Sequence, residues 1–442
     1  MLPKDTDRQG CHELNLRPKD HHRALFSLAR VRFLSGAAMS EVAAPASGRR
    51  RTLLVVAPLA PDFDRHAGGL RLLTMLRILS REYRISFLGG TSPGGERHVA
   101  ALRSLGIDFY DAASTTFDAL LPQAEAGVFF EFYRSAEDVI DTVRLQRRDL
   151  PIVVDSVDLH FVRELRAAAY ADRPDIAKQQ ALDTRCRELA VYRKADAVVV
   201  VTESDKRILQ RVVPNTRVAV VPTIHEVADD VPSFQDRKPH SLLFVGGFQH
   251  TPNVDAVLFF CKDVLPLIRK VLPDTTVTIV GDGAPDAIRG MASDVITVAG
   301  WVPDVKPYLD THLISIAPLR FGSGMKGKVG EAMAHGVPVV VTKVAAEGMD
   351  LQDEVAALIA DSAPDFAAAV TRLLTDPILH ERLSTNGRSL VAARWSQAVA
   401  AQHLLGLMRA LPDIAPKRAS VRQRAKWTAR RLLRRMGLEM LG

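Results

Sequence analysis

The chain predicts an α/β architecture of two Rossmann-like domains, each a doubly wound parallel sheet. Three observations carry this. From residue 51 onward, short apolar runs alternate with helical segments. Over residues 222–239 the alternation stops, in a stretch rich in Pro, Asp and charge. At residue 241 it resumes and continues to the last helices. Strands alternating with helices build βαβ units, whose crossovers cover both faces of a parallel sheet.

The 442 residues suffice for about two to three domains. Hydrophobic residues make up 47%, so a sizeable core is available. Cys11, Cys186 and Cys261 are too far apart to suggest a disulfide framework or a cysteine zinc site. That usage fits a reducing compartment. No apolar run reaches the roughly 18 residues of a spanning helix, and the N-terminus lacks the apolar core of a signal peptide. A cytoplasmic protein is expected. The net charge of +7 sits largely at the ends.

Residues 1–50 lack sustained periodicity and are expected to be disordered; Met39 reads as a natural start. The first domain, 51–222, has predicted strands at 52–57, 84–88, 108–110, 127–131, 151–155, 197–201 and 217–221. Helices are expected at 70–81, 96–105, 136–148, 159–171, 176–193 and from 203. A linker covers 223–240. The second domain, 241–395, has strands at 241–245, 276–280, 295–299, 312–317, 337–341 and 356–360. Helices 254–271, 364–375 and 378–393 belong to it, and a helix over 396–415 is expected to close it.

The stretch from Ala317 to Thr342 organises the rest. A buried strand leads into Arg320, Gly322, Ser323, Gly324, Met325, Lys326, Gly327 and Lys328, and a helix follows with Glu331 in its first turn. Glycines let backbone approach a ligand, and a helix N-terminus offers free N–H groups to an anion. Two lysines beside them suit a pyrophosphate. Glu331 is an acceptor for sugar hydroxyls. The loop also fits G-x-G-x-x-G, which alone is a weak signal, and G-x-x-x-x-G-K, but Val329 stands where a P-loop needs Ser or Thr for Mg²⁺.

Loop, helix and the following E-A-M-A-H-G-V-P-V-V resemble the donor-binding signature of GT-B glycosyltransferases of the group 1 (GT4-like) kind. The resemblance runs over about residues 51–411 and is strongest after 241. It implies a GT-B fold and sugar transfer from a nucleotide donor. It places Gly247, His250 and Asn253 in the first loop of the donor domain, Gly283 under the nucleotide, and Trp301 and Val302 against the base. It gives Glu331 the ribose. Gly247 stands where the family often has Arg, and Asn253 lies where it has Lys, so Arg320, Lys326 and Lys328 are the candidates for phosphate charge. The first Glu of the E-x7-E motif falls at Ser323, which weakens the implied retention at the anomeric carbon. In the first domain Gly68 and Gly69 resemble the glycine-rich loop that meets acceptor and phosphate.

Asp155, Asp158 and His160 follow a strand, where ligands of open α/β sheets sit, so any of them, or His66, is a candidate to deprotonate the acceptor hydroxyl. Either aspartate also suits a helix cap. Asp62 and Asp64 form a D-x-D that could hold a metal, but the second Rossmann half argues against GT-A, and no metal or cofactor is expected beyond the nucleotide-sugar co-substrate. Residues 416–442 carry nine Lys or Arg interleaved with Trp427 and leucines, which suits an anionic membrane surface on its inner face. No nucleic-acid motif accompanies them. The expected reaction is transfer to a hydroxyl of a cell-surface glycan or lipid-linked precursor. A UDP-sugar epimerase of the same fold and a non-catalytic sugar-nucleotide-binding scaffold are the alternatives.

Overall fold

The computed structural model describes residues 49–64, 67–322, 324–414 and 417. The first sheet contains β1 (Thr52–Leu59), β2 (Arg84–Gly90), β3 (Asp108–Asp111), β4 (Gly127–Glu131), β5 (Ile152–Asp155), β6 (Ala197–Val200) and β7 (Arg217–Val220). Their order is β3-β2-β1-β4-β5-β6-β7, all parallel. The second sheet contains β8 (Lys238–Val245), β9 (Thr276–Val280), β10 (Ile296–Gly300), β11 (His312–Ala317), β12 (Val339–Val341) and β13 (Leu358–Ile359). Its order is β10-β9-β8-β11-β12-β13, also parallel. These are the two expected α/β domains, and both sheets lie within one packed unit.

Both faces of each sheet are covered, so the strands read as unbroken apolar runs. In β1, Leu53 and Val55 enter one core and Leu54 and Val56 the other. Strand order reverses between β1 and β4 and between β8 and β11. Ligands of open α/β sheets bind outside the carboxyl ends of strands at such switch points. The loops after β1, β8 and β11 therefore border the candidate ligand positions.

Several expectations change. Helix Gln397–Ala410 does not close the second domain. Its stripe of Ala400, Leu404, Leu407 and Met408 enters the first domain's core beside Leu72 and Leu76. Periodicity defines such a stripe but not its partner. The linker is not loose. Buried Arg237 donates to the carbonyls of His312 (2.9 Å) and His335 (3.3 Å), and β8 already begins at Lys238. The long helix expected over 254–271 is interrupted by a π-turn at Phe260–Val264. Residues 1–48, His66, Ser323 and the tail apart from Lys417 lie outside the described residues. Lys417 itself donates its Nζ to the Arg193 carbonyl at 2.9 Å. Among the described residues, no helix is long and apolar enough to cross a membrane.

Candidate functional site

The loops after β8 and β11 meet at the second sheet's switch point. Gly281, after β9, lies tight against the first of these loops: a Cβ there would lie 2.0 Å from the Gly246 carbonyl oxygen, and its φ is +156°. Gly281→Ala is expected to destabilise the chain by about 1–3 kcal/mol, seen as a lower denaturation midpoint.

Lys326 and Lys328 dominate this junction. Lys326 is buried and donates its Nζ to the Gly324 carbonyl at 2.7 Å. Lys328 donates to Asn253 Oδ1 and sits 4.4 Å above the centre of the Phe244 ring. Asn253 in turn donates to the Gly247 carbonyl at 2.7 Å. The expected donor contact at Asn253 is thus a buried brace that aims Lys328. Burial pushes Lys326 down to about 8. Burial first, then the charge of Lys326, pushes Lys328 down to about 7. Among the described residues, neither ammonium has a carboxylate within salt-bridge distance. Glu347, Asp205 and Asp158 pull on Lys326 only from beyond salt-bridge distance, so two crowded, desolvated cations make a site that gains from an anion.

Backbone adds to this field. Helix Gly327–Ala334 starts directly after Lys326. Helix Ala67–Leu79 of the first domain starts against it: a Cβ on Gly327 would lie 2.6 Å from that of Ala67. Two helix N-termini, one from each domain, converge beside the lysines, and each favours negative charge. Gly68 and Gly69 lie in the first turn of the second of these helices, which begins earlier than the expected residue 70.

Glu331 falls in the second turn, not the first, because the helix includes Gly327 and Lys328. Burial first, then Asp304, raises its pKa. Its carboxyl forms no hydrogen bond or ion pair among the described residues. Trp301 is 42% exposed after β10, with Val302 half-buried beside it. Gln249 leans over Gly283, and Met325 packs on the second core. Loss of water around its ring, then the charges of Arg163 and Lys328, pushes the His250 imidazole down to about 4. Gly322 and Gly324 take φ of +146° and +67°. Arg320 does not join the lysines. Its guanidinium is paired with Asp255 (Nε to Oδ2 2.8 Å) and stacked between Phe259 and Tyr170.

Across the cleft, Asp155 ends β5 fully buried and pairs with equally buried Arg71, whose Nη2 donates to the Val221 carbonyl at 2.9 Å. That makes it a core ion pair rather than a group free to meet an acceptor. Asp158 faces the loop: its Cβ lies 3.2 Å from where a Cβ on Gly324 would stand. It pairs with Arg163 and approaches His160 Nδ1 at 3.2 Å. Burial lowers the His160 pKa against the pull of Asp158, so the imidazole is neutral near pH 7 and able to accept a proton. Asp64 is taken by His98 (2.8 Å) and Arg97, which leaves the D-x-D no pair of open carboxylates.

Glu188 and Arg166 escape a reading of the linear chain. Glu188, pushed up to about 7 by burial, accepts from the Phe161 amide at 3.0 Å and the Tyr192 hydroxyl at 2.7 Å, which seats the start of helix His160–Ala167. His160, Arg163 and Arg166 recur at three-residue spacing on that helix, and only this shared face hinted at Arg166.

Residues 239–376 match the family model described as Glycosyl transferases group 1. The match lies within the second domain and ends before its last helix. The chain is 29% identical over 196 residues to the phosphatidyl-myo-inositol mannosyltransferase of Mycobacterium tuberculosis, covering 42% of this chain. It spans 50% of that relative's length. Sucrose-phosphate synthase from Thermosynechococcus elongatus superposes with a TM-score of 0.62 at 16% identity, over 82% of this chain and 99% of that one. Anabaena HepE, in complex with UDP and glucose, superposes with a TM-score of 0.57 at 10% identity, over 82% and 100%. The pneumococcal O-GlcNAc transferase GtfA, in complex with UDP and GlcNAc, gives 0.57 at 11%, over 82% and 99%. The fold is therefore GT-B, as the loop signature implied.

Proposed function

We propose that this GT-B chain transfers a sugar from a nucleoside-diphosphate sugar to a hydroxyl of a glycan or lipid-linked acceptor. The observation that carries the reading is the pair of crowded lysines, Lys326 and Lys328, at two converging helix N-termini. Charge develops on the leaving diphosphate as the glycosidic bond breaks. Donors already aimed at that position stabilise it without reorganising, which spares a metal ion. Glu331 takes the ribose hydroxyls, and Trp301 with Val302 covers the base. His160, neutral and paired with Asp158, is the candidate to accept the acceptor proton.

The family resemblance suggests retention at the anomeric carbon, although Ser323 stands where the first Glu of the E-x7-E motif would fall. The names of the mycobacterial relatives favour a lipid-linked acceptor. The basic, Trp- and Leu-containing stretch after residue 416 fits an anionic membrane surface at the inner face.

The test is release of nucleoside diphosphate from a panel of nucleotide sugars, with glycan and polyprenyl- or phosphatidylinositol-based acceptors, in excess EDTA. Turnover with one donor, reduced about 100-fold or more in Lys326→Ala and Glu331→Ala, is expected. Epimerisation of the nucleotide sugar without an acceptor would replace the transferase reading. Loss of turnover on EDTA addition would overturn its metal-free form.

A further inference from the structure

The first domain reaches across and holds the phosphate loop of the second. Arg166 Nη1 donates to the Gly322 carbonyl at 2.7 Å. The same guanidinium makes a two-pronged pair with Glu347, Nη2 to Oε1 at 2.8 Å, and Glu347 lies beyond β12 in the second domain. Both side chains are about one-third exposed, so solvent does not prevent the pair from breaking. Around this pair the contacts are dense. Tyr170 stacks on Phe321 with ring centres 5.1 Å apart, and its hydroxyl donates to the Arg320 carbonyl at 3.3 Å. Asp158 lies against Gly324. Gly348, next to Glu347, has φ +77°, and a Cβ there would lie 2.4 Å from Thr202 Cγ2.

Residues 320, 321, 322 and 324 of the loop thus each meet the first domain, just ahead of the two lysines. One planar guanidinium joins helix His160–Ala167, a loop carbonyl and Glu347. Such a fork fixes direction as well as distance, which an ammonium cannot do. Separating the domains would remove these supports from the loop together.

We propose that Arg166 is a positioning residue that couples closure of the cleft to the phosphate-binding form of the 320–328 loop. This rests on the glycosyltransferase reading for the identity of the anion but not for the coupling itself. The loop then holds the diphosphate best when the domains meet, and product leaves as the pair opens. Reciprocity follows: whatever the closed loop adds to nucleotide affinity, the nucleotide adds to closure.

Amide hydrogen exchange on the ligand-free chain and calorimetric binding of UDP, GDP and ADP test this together. In Arg166→Gln and in Glu347→Gln, exchange should rise at 320–328 while β1 and β4 keep their protection. Affinity for the nucleoside diphosphate should fall about tenfold, mostly through faster dissociation. Arg166→Lys should restore less than half of the loss. The double variant should be no worse than Arg166→Gln alone. Unchanged exchange at 320–328, or a rise spread over the whole chain, would overturn the coupling. Failure of the unsubstituted chain to bind any of the three nucleotides would instead sink the functional reading, and the exchange result would still decide the coupling.

Discussion

Lys328→Met should cost the chain about 100-fold in affinity for its nucleoside diphosphate, the scale of losing one buried charge-assisted contact. The Lys328 Nζ is braced by Asn253 and the Phe244 ring, and burial with Lys326 beside it leaves it at about 7. A bound diphosphate would restore the charged form and move that value up toward the ordinary lysine range. The sign follows. Between about pH 7 and the bound-state value, the free chain carries less charge here than the complex, so binding takes up protons. Affinity should therefore fall with rising pH, by up to about tenfold per unit for one lysine. Calorimetry from about pH 7 to about pH 9, in buffers of different ionisation enthalpy, reads the proton uptake directly. Lys328→Met should flatten the slope as well as weaken binding. A slope unchanged in the variant would remove Lys328 from the phosphate site.

Asp155→Ala should destabilise the fold by about 3–5 kcal/mol, because it strands a buried guanidinium. Arg71 and Asp155 are 2% and 0% exposed, so bulk solvent is not at hand to compensate. Glu131 sits close by at the end of β4. Burial first, then the charge of Asp155, raises its pKa well above the ordinary value. Denaturant midpoints of Asp155→Ala and Asp155→Asn, with the slope compared to the parent, measure the loss. If Asp155→Asn kept the parent midpoint and lost only turnover, Asp155 would return to the catalytic list in place of its role in the core.

Both expectations mark what a linear reading reaches. β1, β8 and β11 were legible because strands buried on both faces are unbroken apolar runs. The donor loop was legible because glycine, lysine and a following helix are neighbours in the chain. Partners distant in sequence were not. Nothing near Arg320 announces Asp255, and nothing near Arg166 announces Glu347. Asp155 reads as a polar residue after a strand, and only the fold supplies Arg71. The destination of helix Gln397–Ala410 was hidden for a related reason: an apolar stripe fits any exposed core. Glu331 was displaced by one turn because glycine at 327 reads as loop, although the helix accepts it at its first position.

Whether the loop around Lys326 and Lys328 holds the diphosphate of a sugar nucleotide decides among these readings. Thermal shift of the chain against UDP, GDP and ADP, their sugar conjugates, and ATP with Mg²⁺ is the direct test. The account predicts stabilisation by one nucleoside-diphosphate series, unchanged by EDTA and lost in Lys328→Met. A shift confined to ATP with Mg²⁺, or none with any nucleotide, would contradict it.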